Sequence, residues 1–456
     1  MKFGNHILRY QDDILKTLGQ LITIPSVCSS PEPGFPFGRN SAAALASILQ
    51  TAESMGLSVK NVGNYAGHAA YGTGDTCADV MNHVDVVPAG QNWSVEPFVL
   101  TRRGDICYGR GVSDNKGAAV VTLYCLKALM DAGVTGKRRL RAVFGAGEEI
   151  ASNDLDMYYA SEGYPAMGFT SDSRYGICNR EKGILHLDLT GDMPSACVRG
   201  FRAGTVVNAV PAVAEADVAC DAAQYESLAG LAKTSDFRLE KSDGGVHITA
   251  FGKAAHAADP SLGVNAAIRL IARLAEVYPA QELGGLLTFL HEKIGTAFDG
   301  AGLGVAQADR QSGPLTLNLG IVTVENGTAL ARLDIRYPVT GDGDAIVAKI
   351  RQAAAPYHVT VHTDKMEKPL YVPENLPLIG LLQSTYRDVT GKPCDIYAMG
   401  GGTYARKAHG AAVAFGPLFP EDPDTNAHTA DEHISFPRLM RHAQVCLEAM
   451  YRMMTE

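Results

Sequence analysis

Three predicted strands share one feature: a histidine or a carboxylate follows directly where each strand ends. These residues are His83 with Asp85, Glu148 with Glu149, and Asp172. Helical patterns separate the three strands, which is typical of a largely parallel sheet in an α/β fold. Ligands bind to such sheets at the carboxyl ends of the strands. The sequence therefore predicts a binding site at that edge.

Taken singly, these side chains have ordinary explanations. A histidine at a strand end is often held by hydrogen bonds alone, and two adjacent glutamates can begin a helix, whose positive end they stabilise. Asp114, framed by glycines at 109, 111 and 117, could simply cap the helix predicted over 116–132. Only their convergence at one edge of a sheet favours a site.

The pattern changes after about residue 182. Residues 184–192 alternate apolar and polar side chains, as antiparallel strands do. Further strands are predicted over 246–251, 315–323 and 330–337, with helices over 264–278, 286–294 and 344–354. We therefore predict an α/β domain in two parts, 1–183 and 367–456, with an α+β domain inserted at 184–366.

Composition excludes several classes of protein. The chain has 456 residues, 46% of them apolar, and a net charge of −9, which does not favour a nucleic-acid partner. It contains no apolar run of about 18 residues, so no membrane span is expected, and its N-terminus lacks the apolar core of a signal peptide. Nine scattered cysteines without a CxxC motif are typical of reduced thiols, which predicts a cytoplasmic protein.

The candidate ligands include a second histidine late in the chain. The set is His83, Asp114, Glu149, Asp172 and His428. Two imidazoles and three carboxylates suit two divalent ions such as Zn²⁺ or Mn²⁺, with Co²⁺ also possible. One carboxylate must bridge such a pair. Glu148 would act as general base on a bridging water, and Asp85 would orient the His83 ring.

Five motifs occur in a specific order along the chain: HVDVVPAG, YGRGVSDNKG, GAGEE, FTSD and AHTADE. This set resembles the dinuclear metallopeptidases related to aminoacylase and carboxypeptidase G, and within that group the bacterial PepV-type dipeptidases. The resemblance implies a phosphorylase/hydrolase-like α/β catalytic domain with a mostly parallel sheet and an inserted α+β lid. It places His83 and Asp172 on one metal and Glu149 and His428 on the other. It makes Asp114 the bridge, followed by a cis peptide bond.

The resemblance also assigns residues of the lid and a glycine-rich loop. His256, in GKAAH, would stabilise the tetrahedral oxyanion, although it could also be a solvated loop histidine. Arg336, in LDIRYP, would bind the carboxylate of the substrate, although a plain pair with Asp334 on the same strand face is the alternative. Asn208, Gly401 and Gly402 would border the same end of the substrate.

The implied function is hydrolysis of dipeptides with a free C-terminal carboxylate by a metal-bridging water. The nearer alternative is an N-acyl-amino-acid deacylase or another aminopeptidase or carboxypeptidase of the same family. The more distant one is an inactive binding protein, although no ligand or base is lost. The inserted domain, about 180 residues long, is about twice the usual lid of the deacylases, which favours the dipeptidases and predicts a monomer, with a dimer as the alternative.

Overall fold

A computed structural model describes residues 2–150, 153–192, 197–230 and 234–456 of the protein. Short helical segments of other types supplement the α-helices; among them, a 3-10 segment, Phe3–Tyr10, precedes the first helix, and a π turn, Leu290–Ile294, continues the eighth. The α-helices are α1 (Gln11–Ile22), α2 (Arg39–Ser54), α3 (Lys116–Asp131), α4 (Asp154–Glu162), α5 (Ala222–Ala229), α6 (Ala266–Val277), α7 (Ala280–Leu283), α8 (Gly285–Phe289), α9 (Gly343–Ala354), α10 (Pro377–Thr390) and α11 (Phe436–Thr455).

The strands alternate with these helices early in the chain and follow one another in its middle. They are β1 (Ser58–Val62), β2 (Ala66–Tyr71), β3 (Thr76–His83), β4 (Thr101–Arg103), β5 (Ile106–Tyr108), β6 (Arg138–Gly145), β7 (Met167–Thr170), β8 (Ser173–Arg174), β9 (Ile177–Glu181), β10 (Gly183–Asp192), β11 (Val198–Ala203), β12 (Val213–Ala219), β13 (Phe237–Ser242), β14 (Gly245–Phe251), β15 (Ala308–Asp309), β16 (Gly313–Pro314), β17 (Thr316–Glu325), β18 (Thr328–Tyr337), β19 (Thr360–Glu367), β20 (Leu370–Tyr371), β21 (Ile396–Met399), β22 (Ala412–Ala414), β23 (Pro417–Leu418) and β24 (His433–Ser435).

The chain divides into two compact units. The first comprises Met1–Asn179, Tyr371–Tyr397 and Gly402–Glu456, and the second comprises Arg180–Leu370 with Ala398–Gly401. The inserted domain was predicted at 184–366, so the structure extends that stretch by a few residues at each end. The return of residues 398–401 to the second unit was not predicted, because nothing local in that glycine-rich turn indicates its partner.

The first unit is built on a mixed sheet with a parallel centre. Strands β6, β3, β7 and β22 are parallel, and β1 and β2 add antiparallel strands beside β6. The centre is apolar because both faces are covered: Val80 and Met81 of β3 are fully buried, and α3 and α11 pack together against the strands. The carboxyl ends of β3, β6 and β7 therefore meet at one edge.

The second unit contains an eight-stranded antiparallel sheet of order β13-β14-β12-β11-β17-β18-β10-β19. Helices α6, α8 and α9 pack on it, and their apolar residues form its core with the inward positions of the strands. This is an α+β unit inserted into an α/β unit, so the predicted fold class is confirmed. Helices α4, α5 and α7 and several strands, including β2, β11, β12, β13 and β19, were not predicted.

Two further observations concern the helices and the cysteines. Within the described ranges, no helix combines the length and the apolar character that crossing a bilayer requires. In the same ranges, no disulfide joins any of the nine cysteines.

Candidate metal centre

The predicted ligands of the first unit lie on loops that leave neighbouring strands. His83 is the last residue of β3, Glu148 and Glu149 follow β6, and Asp172 follows β7. Because the three strands run parallel in adjacent positions, their ends deliver these side chains to one place. Asp114 and His428 arrive on the loops before α3 and β24.

Asp114 lies between the two imidazoles. Its Oδ1 is 3.0 Å from His83 Nε2, and its Oδ2 is 3.1 Å from His428 Nε2. His428 Nε2 is also 3.1 Å from Glu149 Oε2, whereas His83 Nε2 is 3.9 Å from Asp172 Oδ2. One carboxylate thus presents one oxygen to each histidine, which is the arrangement that a bridging ligand requires.

Asp85 supports this cluster in a way that the sequence did not specify. The Nδ1 of His83 donates to the backbone carbonyl of Asp85 at 3.0 Å, and the nearer carboxylate oxygen is 3.5 Å away. The Asp85 carboxylate instead accepts from the backbone N–H groups of Glu148 (3.1 Å) and Glu149 (3.0 Å). Asp85 therefore orients His83 and also holds the loop that carries the two glutamates.

Asn115 holds Asp172, the fifth predicted ligand. Its amide nitrogen donates to the Ser171 carbonyl at 2.6 Å and to Asp172 Oδ1 at 3.2 Å. The peptide bond between Asp114 and Asn115 is cis, as the resemblance led us to expect. A fully buried asparagine thus connects the loop of Asp114 with the loop of Asp172.

The cluster carries more negative than positive charge. Burial raises the pKa of Glu148 well above its usual value, and the neighbouring carboxylates raise it further. Burial, with Asp114, raises the pKa of Asp172 to about 7. Hydrogen bonds to Asp114 and Glu149 raise the pKa of His428 to about 11. Although burial opposes it, hydrogen bonds from His428 and His83 hold the pKa of Asp114 far below its usual value.

The residues present fit divalent cations. Two groups, His83 with Asp114 and Glu149, and His83 with Glu148 and Asp172, each bring three ligand atoms within 4.8 Å of one another. Oxygen and imidazole nitrogen are donors that Zn²⁺ and Mn²⁺ accept. Among the described residues, His83 and His428 are the cationic groups that pair with these carboxylates, and divalent cations would neutralise them more completely.

Some residues at this centre were missed by sequence reasoning. Glu432 and Arg110 are buried behind the loop of Asp114, and Tyr404 donates to the buried Asp154, which accepts from Gly147 N–H at 3.1 Å. The motifs that contain Arg110 and Glu432 were recognised, but the two residues were not singled out because their partners are remote in sequence.

The second unit brings two of its predicted residues together. The segments of Asn208 and His256 form an antiparallel bridge between Ala209 and His256, and the Ala257 N–H donates to the Asn208 carbonyl at 2.9 Å. Both predicted side chains are exposed, and His256 Nδ1 accepts from the Ala258 N–H at 3.1 Å.

Arg336 is buried and bound to Asp334. Its Nε and Nη2 donate to the two oxygens of Asp334 at 2.5 and 2.6 Å, and its Nη1 donates to the Gly400 carbonyl at 3.2 Å. The Asp–Arg pair that the sequence offered as the alternative is therefore present. It fixes one edge of the guanidinium and leaves the edge between Nη1 and Nη2 with remaining donors.

The predicted glycines lie on the same segment as Gly400. Gly401 belongs to the second unit and Gly402 to the first. A Cβ added to Gly402 would come within 2.6 Å of the Arg406 guanidinium, the flexible end of that side chain, so Arg406 would have to shift.

Comparisons with known proteins place the chain among peptidases. Residues 80–454 match "Peptidase family M20/M25/M40". The Bacillus subtilis (strain 168) protein named "Putative dipeptidase YtjP" is 32% identical over 466 residues, covering 99% of this chain and 100% of that protein. A Staphylococcus aureus (strain USA300) protein, also named as a putative dipeptidase, is 30% identical over 469 residues, covering 99% of each.

A solved structure agrees at the level of the fold. Human carnosine dipeptidase 1 matches with a TM-score of 0.62 and 13% identity, over 99% of this chain and 98% of that one. At this identity the match shows a shared fold only. The family match and the end-to-end similarity to YtjP confirm the resemblance that the motifs indicated: the chain belongs to Peptidase family M20/M25/M40, the metallopeptidase group.

Proposed function

We propose that this protein is a metal-dependent dipeptidase that hydrolyses the peptide bond of unblocked dipeptides. The observation that carries the proposal is the position of Asp114 between two imidazoles, in one cluster with Glu148. The names of the relatives that match the whole chain support the substrate class. We propose two divalent ions per chain, Zn²⁺ or Mn²⁺, with Co²⁺ as a further candidate.

The ligand set divides around Asp114. His83 and Asp172 would hold one ion with Asp114, and Glu149 and His428 would hold the other with the same carboxylate. Ions bound there would polarise the scissile carbonyl and lower the pKa of a water molecule toward 7.

Glu148 is the proposed general base. It would take the proton of the attacking water and pass it to the leaving amine. Its backbone N–H is held by the Asp85 carboxylate at 3.1 Å, so its side chain extends from a fixed position in the cluster.

The second unit would supply the groups that bind the rest of the substrate. We propose that His256 donates a hydrogen bond to the oxyanion and that Arg336 binds the C-terminal carboxylate, with Asn208, Gly401 and Gly402 beside it. The family resemblance supports these roles. Asp334 supports the role of Arg336, because a guanidinium fixed along one edge loses little entropy when its other edge binds a carboxylate.

We further propose that the protein acts in the cytoplasm as a monomer. The scattered cysteines support the compartment. The large inserted unit supports the monomer, because its second half would take the place of a partner subunit.

A metal-reconstitution assay tests the function. The protein is stripped with a chelator, loaded with Zn²⁺, Mn²⁺ or Co²⁺ separately, and given dipeptides, C-terminally amidated dipeptides and N-acetyl amino acids. We expect hydrolysis of the unblocked dipeptides, restored by at least one metal. Hydrolysis of N-acetyl amino acids alone would replace the proposal with a deacylase.

The Glu148→Gln variant tests the mechanism. The amide cannot accept the proton, so we expect kcat to fall by about 10²–10⁴-fold with two ions still bound. Unchanged kcat would remove Glu148 from the role of base. Hydrolysis of no substrate by a wild-type protein that binds two ions would show that the substrate class is wrong.

Arg336→Lys tests recognition of the carboxylate. We expect a raised KM for dipeptides and little change in KM for amidated dipeptides. Only the unblocked dipeptides present a carboxylate that two N–H groups of the guanidinium can bind together. Arg332→Lys is the matched control, since Arg332 lies on the same strand and pairs with Asp188 at 3.0 Å. Equal changes in KM for Arg336→Lys and Arg332→Lys would contradict this role of Arg336. An equal rise in KM for dipeptides and for amidated dipeptides in Arg336→Lys would contradict it as well.

A further inference from the structure

Glu432 is a buried glutamate whose two oxygens are both occupied. Oε2 accepts from Arg110 Nη1 at 2.7 Å and from the Gly111 N–H at 2.9 Å. Oε1 accepts from the N–H groups of Ser113 at 2.9 Å and Asp114 at 3.0 Å. Four donors fill the usual acceptor positions of a carboxylate, so Glu432 is already satisfied by protein groups and is not itself a ligand.

The Glu432 side chain therefore fixes the backbone of the loop that carries Asp114. It binds the N–H of Asp114 itself and those of residues one and three positions before it. The turn at Gly111 has φ +87°, and a Cβ there would lie 2.7 Å from Val86 Cγ1, so the loop is also packed tightly against the segment after β3.

Arg110 connects the same loop to two others. Its Nη2 lies 3.3 Å from the carbonyls of Pro88 and Ala89, on the segment after His83 and Asp85, and 3.0 Å from the carbonyl of Thr429, the residue after His428. The side chains of Arg110 and Glu432 are each 1% exposed. One buried ion pair thus reaches the three loops that supply His83, Asp114 and His428.

We infer that Arg110 and Glu432 are positioning residues that set the separation of the ligands His83, Asp114 and His428. Asp114 would have to meet two ions at once, so a small displacement of its loop would weaken both. The inference rests on the proposed metal centre but not on the identity of the substrate. Its first readout is therefore metal binding rather than hydrolysis.

Glu432→Gln is the main test. The amide keeps the shape, but its NH₂ group must face two N–H donors in place of an acceptor. We expect the affinity for Mn²⁺ or Zn²⁺, measured by calorimetry on the full-length protein, to fall by about 10- to 100-fold. We expect kcat to recover toward that of the wild type when the metal concentration is raised to saturation. Arg110→Lys keeps the charge but loses the planar set of guanidinium N–H donors, and we expect a smaller loss of metal affinity.

Asp79→Asn and Arg141→Lys provide the matched control. Asp79 and Arg141 form another fully buried pair in the same unit, joined at 2.7 and 2.8 Å, and their other hydrogen bonds go to Tyr159, Glu162 and Gly163. We expect these variants to lower the unfolding temperature without changing metal affinity. All variants are compared at a temperature at which circular dichroism shows them folded.

The outcomes separate the two proposals. Unchanged metal affinity in Glu432→Gln and Arg110→Lys, or an equal loss in the Asp79 and Arg141 variants, would overturn the positioning role. If Glu432→Gln does not fold, Arg110→Lys decides. Wild-type protein that binds two ions and hydrolyses no dipeptide would overturn the proposed function while leaving the positioning role to be judged by the same affinities.

Discussion

Two groups of charged residues lie in the first unit, one in the middle of its sheet and one at the carboxyl ends of the strands, and they differ in how their charge is balanced. In the middle of the sheet, Asp79 of β3 stands opposite Arg141 of β6. At the carboxyl ends of these strands and of β7, five carboxylates surround two histidines; they are Asp85, Asp114, Glu148, Glu149 and Asp172, with His83 and His428.

The group in the middle of the sheet neutralises itself. Asp79 accepts two hydrogen bonds from Arg141 and a third from the Tyr159 hydroxyl at 3.1 Å. Arg141 also donates to the carbonyls of Glu162 at 2.9 Å and Gly163 at 3.0 Å. Burial raises the pKa of Asp79, and Arg141 and Tyr159 oppose that rise.

The group at the strand ends does not neutralise itself. Even with both histidines protonated, five carboxylates leave an excess of three negative charges. Burial raises the pKa values of Glu148 and Asp172, and the neighbouring carboxylates add to the rise. We infer that charge which serves the fold is balanced within the chain, whereas charge at a ligand site is balanced by the bound ligand.

The same type of substitution should have opposite effects on the two groups. Asp79→Asn leaves Arg141 as a buried cation without its partner, which should cost about 3–5 kcal/mol of the free energy of unfolding. Asp172→Asn removes a carboxylate whose pKa of about 7 makes its charged form unfavourable in the metal-free fold. At pH 8 this variant should be as stable as the metal-free wild type or more stable.

Urea unfolding of the wild type and both variants at pH 8, after a chelator has removed bound metal, measures both changes in the free energy of unfolding. The advantage of Asp172→Asn should disappear toward pH 4, because the wild-type carboxyl is then protonated in the fold. A clear loss of stability in metal-free Asp172→Asn at pH 8 would contradict the claim that the charged form of Asp172 is unfavourable in the fold without metal.

His68 is a buried histidine near Arg141, and its contribution to the free energy of unfolding depends on pH. Its Nδ1 is 2.8 Å from the Tyr158 hydroxyl, and burial, with the positive charge of Arg141, lowers its pKa to about 4. Below pH 6.5 the unfolded chain binds a proton at His68, whereas the folded protein does not bind it until the pH nears 4. The free energy of unfolding that the neutral His68 contributes is therefore fully present above pH 6.5 and is lost as the pH falls to 4. The loss should reach about 3 kcal/mol.

His68→Gln, which does not titrate in this range, isolates that contribution. The free energy of unfolding of the wild type and of the variant is measured at pH 7 and at pH 4.5. The wild type should lose more stability between the two pH values than the variant does. Parallel losses would show that His68 is not held neutral by the fold.

Metal should stabilise the protein only through the group at the strand ends. At a free metal concentration 100 times Kd, binding to the folded state alone adds about 2.7 kcal/mol per site. The increase should persist in Asp79→Asn and shrink in Asp172→Asn. Thermal unfolding with and without metal measures this, and an equal increase in both variants would place the ions elsewhere.

The two groups also differ in how well the sequence predicts them. The clustering of the candidate ligands at the strand ends was predictable because apolar strands followed by polar residues leave a local pattern, and the order of the motifs added a family resemblance. The role of Glu432 was not predictable, since its donors Gly111, Ser113 and Asp114 lie about 320 residues away and no spacing indicates such a contact. Asp79 and Arg141 likewise pair only through the register of two strands.

The fold shows the same division between local and distant information. Helices α3, α6 and α9 and the apolar strands β14, β17 and β18 were predicted close to their observed bounds because their periodicity is local. Strand β2, AGHAAY, was missed because alanine and glycine have low β propensity. Its Gly67 is required by packing, since a Cβ there would lie 2.6 Å from the Lys60 carbonyl oxygen and 2.7 Å from Leu49. Only the assembled sheet shows that need.

Asn115 offers the finest test of the difference in charge balance. Its amide nitrogen faces two acceptors, the Ser171 carbonyl and Asp172 Oδ1. Asn115→Asp would place an oxygen against both and add a sixth carboxylate, which should cost about 1–3 kcal/mol in the metal-free protein. Saturating metal should reduce that cost, because cations neutralise the added charge.

Asn115→Ala, which loses the donor without adding charge, should show a cost that metal leaves unchanged. Calorimetric unfolding of both variants with and without metal decides. If the metal does not reduce the cost of the aspartate more than that of the alanine, the excess negative charge of this cluster is not what the ions complete.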